Sequence, residues 1–422
     1  MQRIRMSLPY YRAHGWEPVV LTVGERWQQG VFEPELEGTV PRDVRVVRTG
    51  AIPPSWARWF GVGNLGLRAW AHLLFAGSRL LRREEFDLVL FSNTQFVTFP
   101  LGRLWRLCHG VPYVLDVQDP WRTDFYERSG ARSPPGGWKY EFARFSAWIL
   151  EGWSFARASG VISVSPSYLA DLAARYPWFT SIPSAVVRFG ASTADLEIAK
   201  ALPRPRPVQT GPDRDIHLLY TGASGPVMPH AVSALFMALR FYRERFPERA
   251  SRLRFHFIGT SYVAAGRGSP SVVPLAAKFG VLDQVEEIPH RIGFMEALRL
   301  QLDSDVLLLP GSSDPAYSPS KVYLYYLTNR PILGLVFRGS VMEELLNELS
   351  CAYLVHIPEP GGEEIAVASI HRFFDQALFG FPPGSLPARN DAYFNGHFLA
   401  DVLTGEQCAL FNAAVRHEAA LR

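Results

Sequence analysis

The feature that most constrains this chain is a regular alternation in its second half. Short apolar runs at 216–220, 253–258, 285–288, 306–310, 331–337 and 352–356 are separated by segments of helical period at 229–242, 272–279, 294–301, 321–328 and 341–348. Strands alternating with helices of this length predict βαβ units and a parallel sheet with helices on both faces. Right-handed crossovers then gather the loops that follow the strands along one edge, where ligands bind.

The first half reads as a second α/β layer. Strands are predicted at 19–23, 44–47, 88–91, 113–117 and 160–164, and helices at 65–81, 99–108, 140–155 and 166–176. The chain opens in a helix, 2–14, closed by Gly15, so the strand that normally precedes such a helix is absent and this domain is expected to lack its first strand. Four prolines and one glycine between Leu202 and Pro212 read as a hinge. The expected division is a domain over 1–200, a hinge over 201–214, a domain over 215–388 and a C-terminal helical segment over 389–422 that packs back on the first domain.

At 422 residues, 48% hydrophobic and with net charge +3, the chain is neither disordered nor an electrostatic match for nucleic acid. Three distant cysteines, Cys108, Cys351 and Cys408, fit a reducing compartment. No run of roughly 18 uncharged apolar residues and no leader-like start are present, so the expected place is the cytoplasm. Charge divides unevenly: residues 1–200 hold 23 basic against 18 acidic side chains, residues 201–422 hold 20 against 22. The first half is the more suited to an anionic partner.

Several motifs read as coincidence. Gly61-Val-Gly63-Asn-Leu-Gly66 has the dinucleotide spacing but no strand before it. Asp213-Arg-Asp215 and Asp303-Ser-Asp305 stand at the amino ends of strands, away from the ligand edge. Ser318-Pro-Ser-Lys321 lacks the companion motifs of acyl transfer, and the histidines show no paired metal-ligand spacing, so no metal site is expected.

Three loops at carboxyl ends of predicted strands carry the chemistry: Tyr220-Thr-Gly-Ala-Ser-Gly225, Gly259-Thr-Ser-Tyr262 and Gly311 to Lys321. Small Gly/Ser loops running into helices expose backbone N–H groups that can cradle a diphosphate. Lys321 opens its helix, where a cation works against the dipole. A bound anion explains it; so does a lysine reaching out from a surface turn.

Tandem α/β domains, the hinge and Pro319-Ser-Lys-Val-Tyr-Leu-Tyr-Tyr-Leu-Thr-Asn-Arg-Pro-Ile-Leu resemble the donor-binding segment of family 4 glycosyltransferases of the GT-B fold. Val114-Leu-Asp-Val-Gln-Asp-Pro-Trp121, Ile162-Ser-Val-Ser-Pro-Ser-Tyr-Leu and Arg188-Phe-Gly-Ala191 resemble further stretches of that family, in order along the chain. The resemblance implies two Rossmann-like, doubly wound domains facing a cleft, the second binding a nucleotide-diphosphate sugar and the first a saccharide or lipid-linked acceptor. Transfer would retain configuration, with no cofactor beyond the donor substrate and no metal. Lys321 with Tyr317, Ser318, Pro319 and Ser320 would hold the diphosphate, flanked by Gly222, Ser224 and Gly225. Tyr262 and Arg291 would take the base and ribose side. Asp119, and after it Asp116, would be the catalytic carboxylates; a turn-capping role for Asp119 stays open beside that one.

The departures are specific. Where the family carries two glutamates this chain has Ala316 and Leu324, and Ala223 stands where an arginine often follows the glycine. Asp314 is the candidate replacement carboxylate. Two rivals follow, a non-catalytic nucleotide-sugar-binding homologue and a nucleotide-sugar epimerase on the same fold. Residues 55–83, with three tryptophans, five arginines and no acid, and the aromatic stretch 138–157 admit two readings. They are core-facing helices with solvated arginines, or interfacial helices meeting an anionic membrane at its inner face, as a lipid-linked acceptor in cell-surface polysaccharide synthesis would require.

Overall fold

The computed structural model describes residues 2–28, 33–59, 63–92, 94–122, 138–205, 214–224, 228–261, 268–312, 320–358, 362–380 and 388–421. The chain forms two compact units. One comprises Met1–Gln29, Val40–Phe189 and Ala400–Arg422, the other Gly30–Thr39 and Gly190–Leu399.

The second unit is a six-stranded parallel sheet of β7 (Ile216–Thr221), β8 (Leu253–Ile258), β9 (Val285–Ile288), β10 (Val306–Pro310), β11 (Ile332–Val336) and β12 (Ala352–His356), in the order β12-β11-β10-β7-β8-β9. Its strands sit where the apolar runs predict them. On one face, Leu218, Phe255, Phe257 and Leu308 pack against Ala231, Leu235 and Leu239 of the helix Pro229–Arg245 and against Ile370 and Phe374. A smaller cluster joins the helices Thr193–Ala201, Phe294–Asp303 and Lys321–Thr328 through Leu196, Met295, Leu298, Leu302 and Leu324.

The chain therefore enters the second unit at Gly190, well before the proline-rich stretch. Arg299 fixes that entry by donating to the carbonyls of Ala199 (3.3 Å) and Lys200 (2.9 Å). The C-terminal segment also divides differently from the expectation. Asp391–His397 stays with the second unit, its Phe394 stacked on Tyr326 at 4.0 Å, while Ala400–Leu421 belongs to the first.

In the first unit Pro9 offers no N–H to a helix, so the predicted opening helix is two pieces, Gln2–Ser7 and a 3-10 turn Tyr11–His14 that ends at Gly15 with φ 80°. Six parallel strands follow: β1 (Val19–Val23), β2 (Arg45–Thr49), β3 (Val89–Ser92), β4 (Tyr113–Val117), β5 (Gly160–Ser163) and β6 (Ser184–Val186). They form two sheets, β1-β2 and β3-β4-β5-β6. The side-chain layers nevertheless run across the break. Val20 shares a cluster with Leu90, Val114 and Ile162, and Leu21 shares the opposite cluster with Val89, Phe91 and Leu115. The break falls where the common doubly wound order places its first strand.

The first of those clusters is closed by the C-terminal helix, through Leu403, Leu410, Phe411 and Ala414. The other is covered by the helices Leu65–Arg83, Pro100–His109 and Pro166–Arg175. Gly77 lets the first two approach, since a Cβ there would stand 2.1 Å from the Trp105 ring.

An ion pair ties the N-terminal helix to this sheet. Arg3 lies 3.0 Å from the fully buried Asp116 on β4 and donates to the Val187 carbonyl at 2.8 Å. Removing one partner of such a pair strands the other charge in a dry interior. Arg3→Met is expected to cost about 3–5 kcal/mol in urea unfolding of the first unit; an unchanged midpoint would show that Asp116 needs no counter-charge.

Candidate functional site

In the second unit the loops leaving β7, β8 and β9 continue the ladder of the sheet. Gly222 N donates to Ile258 O (2.7 Å), Gly259 N to Ile288 O (2.7 Å), Ser224 N to Thr260 O (3.1 Å) and Ser261 N to Pro289 O (2.9 Å). Gly222 adopts φ 123°, a region closed to other residues, and a Cβ on it would lie 2.2 Å from Cε and 2.9 Å from Nζ of Lys321. The lysine thus lies directly against the backbone after β7. Its Nζ is 5.2 Å from the centre of the Tyr220 ring.

Burial, and then the charge of Arg291, push the Lys321 ammonium down to about 8. Among the described residues no carboxylate pairs with it. A partly buried cation depressed by a second cation is a site that an anion would relieve. Its helix is held in place from below: Tyr325 Oη accepts from Thr221 N at 3.2 Å, and Gln301 donates to Thr221 Oγ1 at 2.8 Å.

Of the sequence candidates, Gly222, Ser224, Arg291, Ser320 and Lys321 fall at this edge. Arg291, expected on the base and ribose side, adds its charge to the lowering of the Lys321 ammonium. Ser224 is hydrogen-bonded to Ser271. Gly225, Tyr262, Asp314, Tyr317, Ser318 and Pro319 lie outside the described residues. Leu324 packs in the apolar cluster with Leu196, Met295 and Leu298, so the helix spends that position on packing rather than on a carboxylate.

Two carboxylates that the sequence reading missed frame the edge. Glu287 on β9 accepts from Thr260 Oγ1 and from the backbone N–H groups of Ser271, Val272 and Val273, capping the helix Val273–Phe279. Glu33 accepts from Phe294 N and Met295 N, both at 2.7 Å, at the start of Phe294–Asp303. Gly293 at that N-cap has no side chain to do this, which is the one local hint of an outside cap. Nothing short-range identifies a residue 261 positions away as the accepting cap.

Asp215, Asp303 and Asp305 lie near amino ends of strands, whereas Gly61, Asp213, Ser318 and Pro319 of the other discounted motifs lie outside the described residues. Asp305 pairs with Arg214 (2.6 Å), Asp303 with Arg299 (2.5 Å) and Asp215 with Arg254 (3.2 Å), all at amino ends of strands. A helix, Pro54–Trp59, precedes Gly63 where the dinucleotide motif needs a strand. No group of three metal-ligating side chains occurs among the described residues.

In the first unit the two candidate aspartates have different surroundings. Asp116 accepts from Ser92 (2.6 Å) and Gln118 (2.8 Å) besides facing Arg3, so its Oδ2 is fully engaged in structure. Asp119 is exposed on the loop after β4, makes no hydrogen bond among the described residues, and has its carboxyl raised by partial loss of solvent. Next to Pro120 is a small recess of about 10 Å³, room for about one water, lined also by Phe96, Trp121, Tyr168, Glu151 and Arg175. Phe96 and Trp121 stack at 5.6 Å. Glu151, buried, is raised by desolvation and drawn back by Arg175 (3.3 Å) and Arg122 (3.9 Å).

Comparison with known proteins follows the geometry. Residues 2–188 match the family model "Glycosyl transferase 4-like domain". The fold is similar to a sucrose-phosphate synthase of Thermosynechococcus elongatus (TM-score 0.53, 13% identity, 99% of this chain and 90% of that one). It is also similar to Anabaena HepE in complex with UDP-glucose (0.54, 13%, 93% and 98%). A third likeness is to a UDP-forming alpha,alpha-trehalose-phosphate synthase of Burkholderia xenovorans in complex with glucose-6-phosphate (0.51, 12%, 82% and 77%). No curated protein matches the sequence.

The lysine gives a prediction with a definite sign. Its folded value of about 8 lies below its ordinary 10.5, so the unfolded chain binds more protons in between. The unliganded protein should gain stability from this group as pH rises from about 8 to 10.5, and Lys321→Met should abolish that rise in denaturant titrations. A wild-type profile identical to the variant's would show a solvated, ordinary lysine.

Proposed function

We propose that this chain, a family 4-like protein of the GT-B fold, moves a sugar from a nucleotide-diphosphate donor to a saccharide or lipid-linked acceptor with retention of configuration. The observation that carries the reading is the Lys321 ammonium seated against Gly222, with Arg291 close enough to depress it. The diphosphate lies over Gly222 and Ser224 and takes its charge partners from Lys321 and Arg291. The loop residues Gly225, Asp314, Tyr317, Ser318, Pro319 and Ser320 and the neighbouring Tyr262 complete the donor site in this proposal.

As the bond from the anomeric carbon to the diphosphate breaks, negative charge grows on the leaving oxygen. The two cations and the loop N–H groups stabilise that charge more than they stabilise the bound donor, which is where acceleration arises. Cations already serve the leaving group, so the proposal assigns neither metal nor cofactor. HepE is seen with UDP-glucose, which makes UDP-sugars the first donors to try. Asp119, with its raised carboxyl, is assigned to the acceptor hydroxyl or the reacting sugar. The reading places the protein in cell-surface polysaccharide synthesis, in the cytoplasm.

A second reading is favoured by Leu324, whose place in an apolar cluster removes a ribose-binding carboxylate. It is a nucleotide-sugar-binding homologue without turnover. Calorimetry and a turnover assay with a panel of nucleotide sugars separate the two: binding with transfer supports the first, binding without transfer the second, and no binding overturns both.

Lys321→Ala is expected to weaken nucleoside-diphosphate binding by about 1.5–3 kcal/mol, the worth of a hydrogen bond to a charged group; unchanged affinity removes Lys321 from the site. Asp119→Asn is expected to lower kcat at least about tenfold, at the modest end for a proton-transferring group, with an unchanged melting temperature. If the variant instead melts earlier and turns over normally, Asp119 is a turn cap.

A further inference from the structure

The first unit carries its aromatic surplus on the outside of one helical layer. The helices Leu65–Arg83, Pro100–His109 and Trp138–Phe155 are neighbours in that order. Trp105 packs on Gly77 and donates from Nε1 to the Leu74 carbonyl, and Arg103 donates to the Trp153 carbonyl at 2.7 Å while stacking on its ring. Their inner faces supply Trp70, Leu73, Leu74, Trp105 and Phe155 to the core. Their outer faces are apolar as well.

On the third helix Phe145, Trp148 and Ile149 follow the i, i+3, i+4 spacing of one stripe and are all exposed, Phe145 and Trp148 59% each. Leu107 is 70% exposed on the middle helix and Phe75 71% on the first. Just ahead of the first helix, Trp59 is 92% exposed. Such a concentration on one layer marks an interaction surface, because scattered single residues are the norm for a protein facing only water.

Its charge says what kind of partner fits. Residues 55–83 hold no acid and five arginines, of which Arg68 is buried and donates to the carbonyls of Ile52 and Trp27. Arg79, Arg82 and Arg83 are exposed and make no ion pair among the described residues. Arg79 stands one turn from Phe75, and Arg144, paired with Glu141 at 3.3 Å, one turn from Trp148. Aromatic side chains with adjacent guanidinium groups suit the boundary of a bilayer, rings among the upper acyl chains and cations at the phosphates. Aromatic and arginine side chains are enriched at protein–protein interfaces too, so a second copy of this chain is the alternative that the test below separates.

We propose that the outer surface of these three helices docks on an anionic lipid bilayer. The proposal does not rest on glycosyl transfer. The chain would approach the membrane without crossing it, since among the described residues no helix is long and apolar enough to span one.

The test is sedimentation of the full chain with vesicles of phosphatidylcholine alone and of phosphatidylcholine mixed with phosphatidylglycerol, across a salt series. Binding to the mixed vesicles that weakens with salt is expected, with little binding to the neutral ones. The double variant Phe145→Ser/Trp148→Ser should lower the partition coefficient at least about tenfold, given the free energy of burying one large apolar side chain. Arg79→Gln/Arg82→Gln/Arg83→Gln should remove the preference for the anionic lipid. Quenching of tryptophan fluorescence in the unaltered chain by brominated acyl chains reads the same insertion without a variant. Nucleoside-diphosphate affinity and circular dichroism check that the variants fold, and lost nucleotide binding in the unaltered chain would count only against the catalytic reading. The proposal is overturned if the unaltered chain ignores both vesicles and shows no quenching. Vesicle binding insensitive to both variants overturns it too, as does a concentration-dependent dimer that the aromatic variant abolishes while vesicles stay unbound.

Discussion

A cation kept from water beside another cation raises the free energy of the empty protein, and the second unit is arranged so that it cannot escape this. Lys321 is the first residue of its helix, and that helix is locked to the end of β7 through Tyr325 and Thr221. The backbone at Gly222 leaves room for the lysine stem only because no Cβ is there. The parallel order of β10, β7, β8 and β9 brings the loops that make this possible to one edge. Each of these elements helps to hold Lys321, which has no carboxylate partner among the described residues, at the carboxyl ends of the strands. That is how a site can be poised for an anion before one arrives.

The first unit treats its buried charges in the opposite way. Asp116 is met by Arg3, Ser92 and Gln118, and Glu151 by Arg175, Arg122 and Tyr176. Glu418 of the C-terminal helix is met by Arg106 and Ser159. These networks are largely satisfied, and they join segments far apart in sequence. Among the described residues Asp119 stands outside such networks, with a raised carboxyl. The contrast between neutralised and unneutralised groups is what separates architecture from candidate chemistry here.

The second unit was largely legible in the sequence because each of its strands is a short apolar run bounded by turn residues, a local signal. Lys321 was legible for a similar reason, being a cation at the wrong end of a helix dipole. What the sequence hid was non-local. The short β6 (Ser184–Val186) and the helix Thr193–Ala201 lie in a stretch with no long apolar run, and are held by β5 and by Arg299. The expected boundary at 201–214 followed proline content, whereas packing of Leu196 and Ala199 decided it at Gly190. Glu33 could not be found at all, since its role depends on a helix start 261 positions away. The aromatic helices were ambiguous because sequence period alone says which residues share a face, not whether that face is covered.

The division of the first unit's strands into two sheets has a consequence for how it opens. β1 and β2 hydrogen-bond to each other, and among the described residues no ladder links them to β3. What holds the pair in place is side-chain packing, of Val20 and Leu21 against the two clusters and of Val23 against Ala69. With no ladder to β3 among the described residues, opening of the β1–β2 ribbon would break side-chain contacts, among them Arg45–Glu84, but no strand pair of β3 to β6. In hydrogen exchange its amides would be expected to report a sub-global opening, at a free energy below that of the sheet beside it.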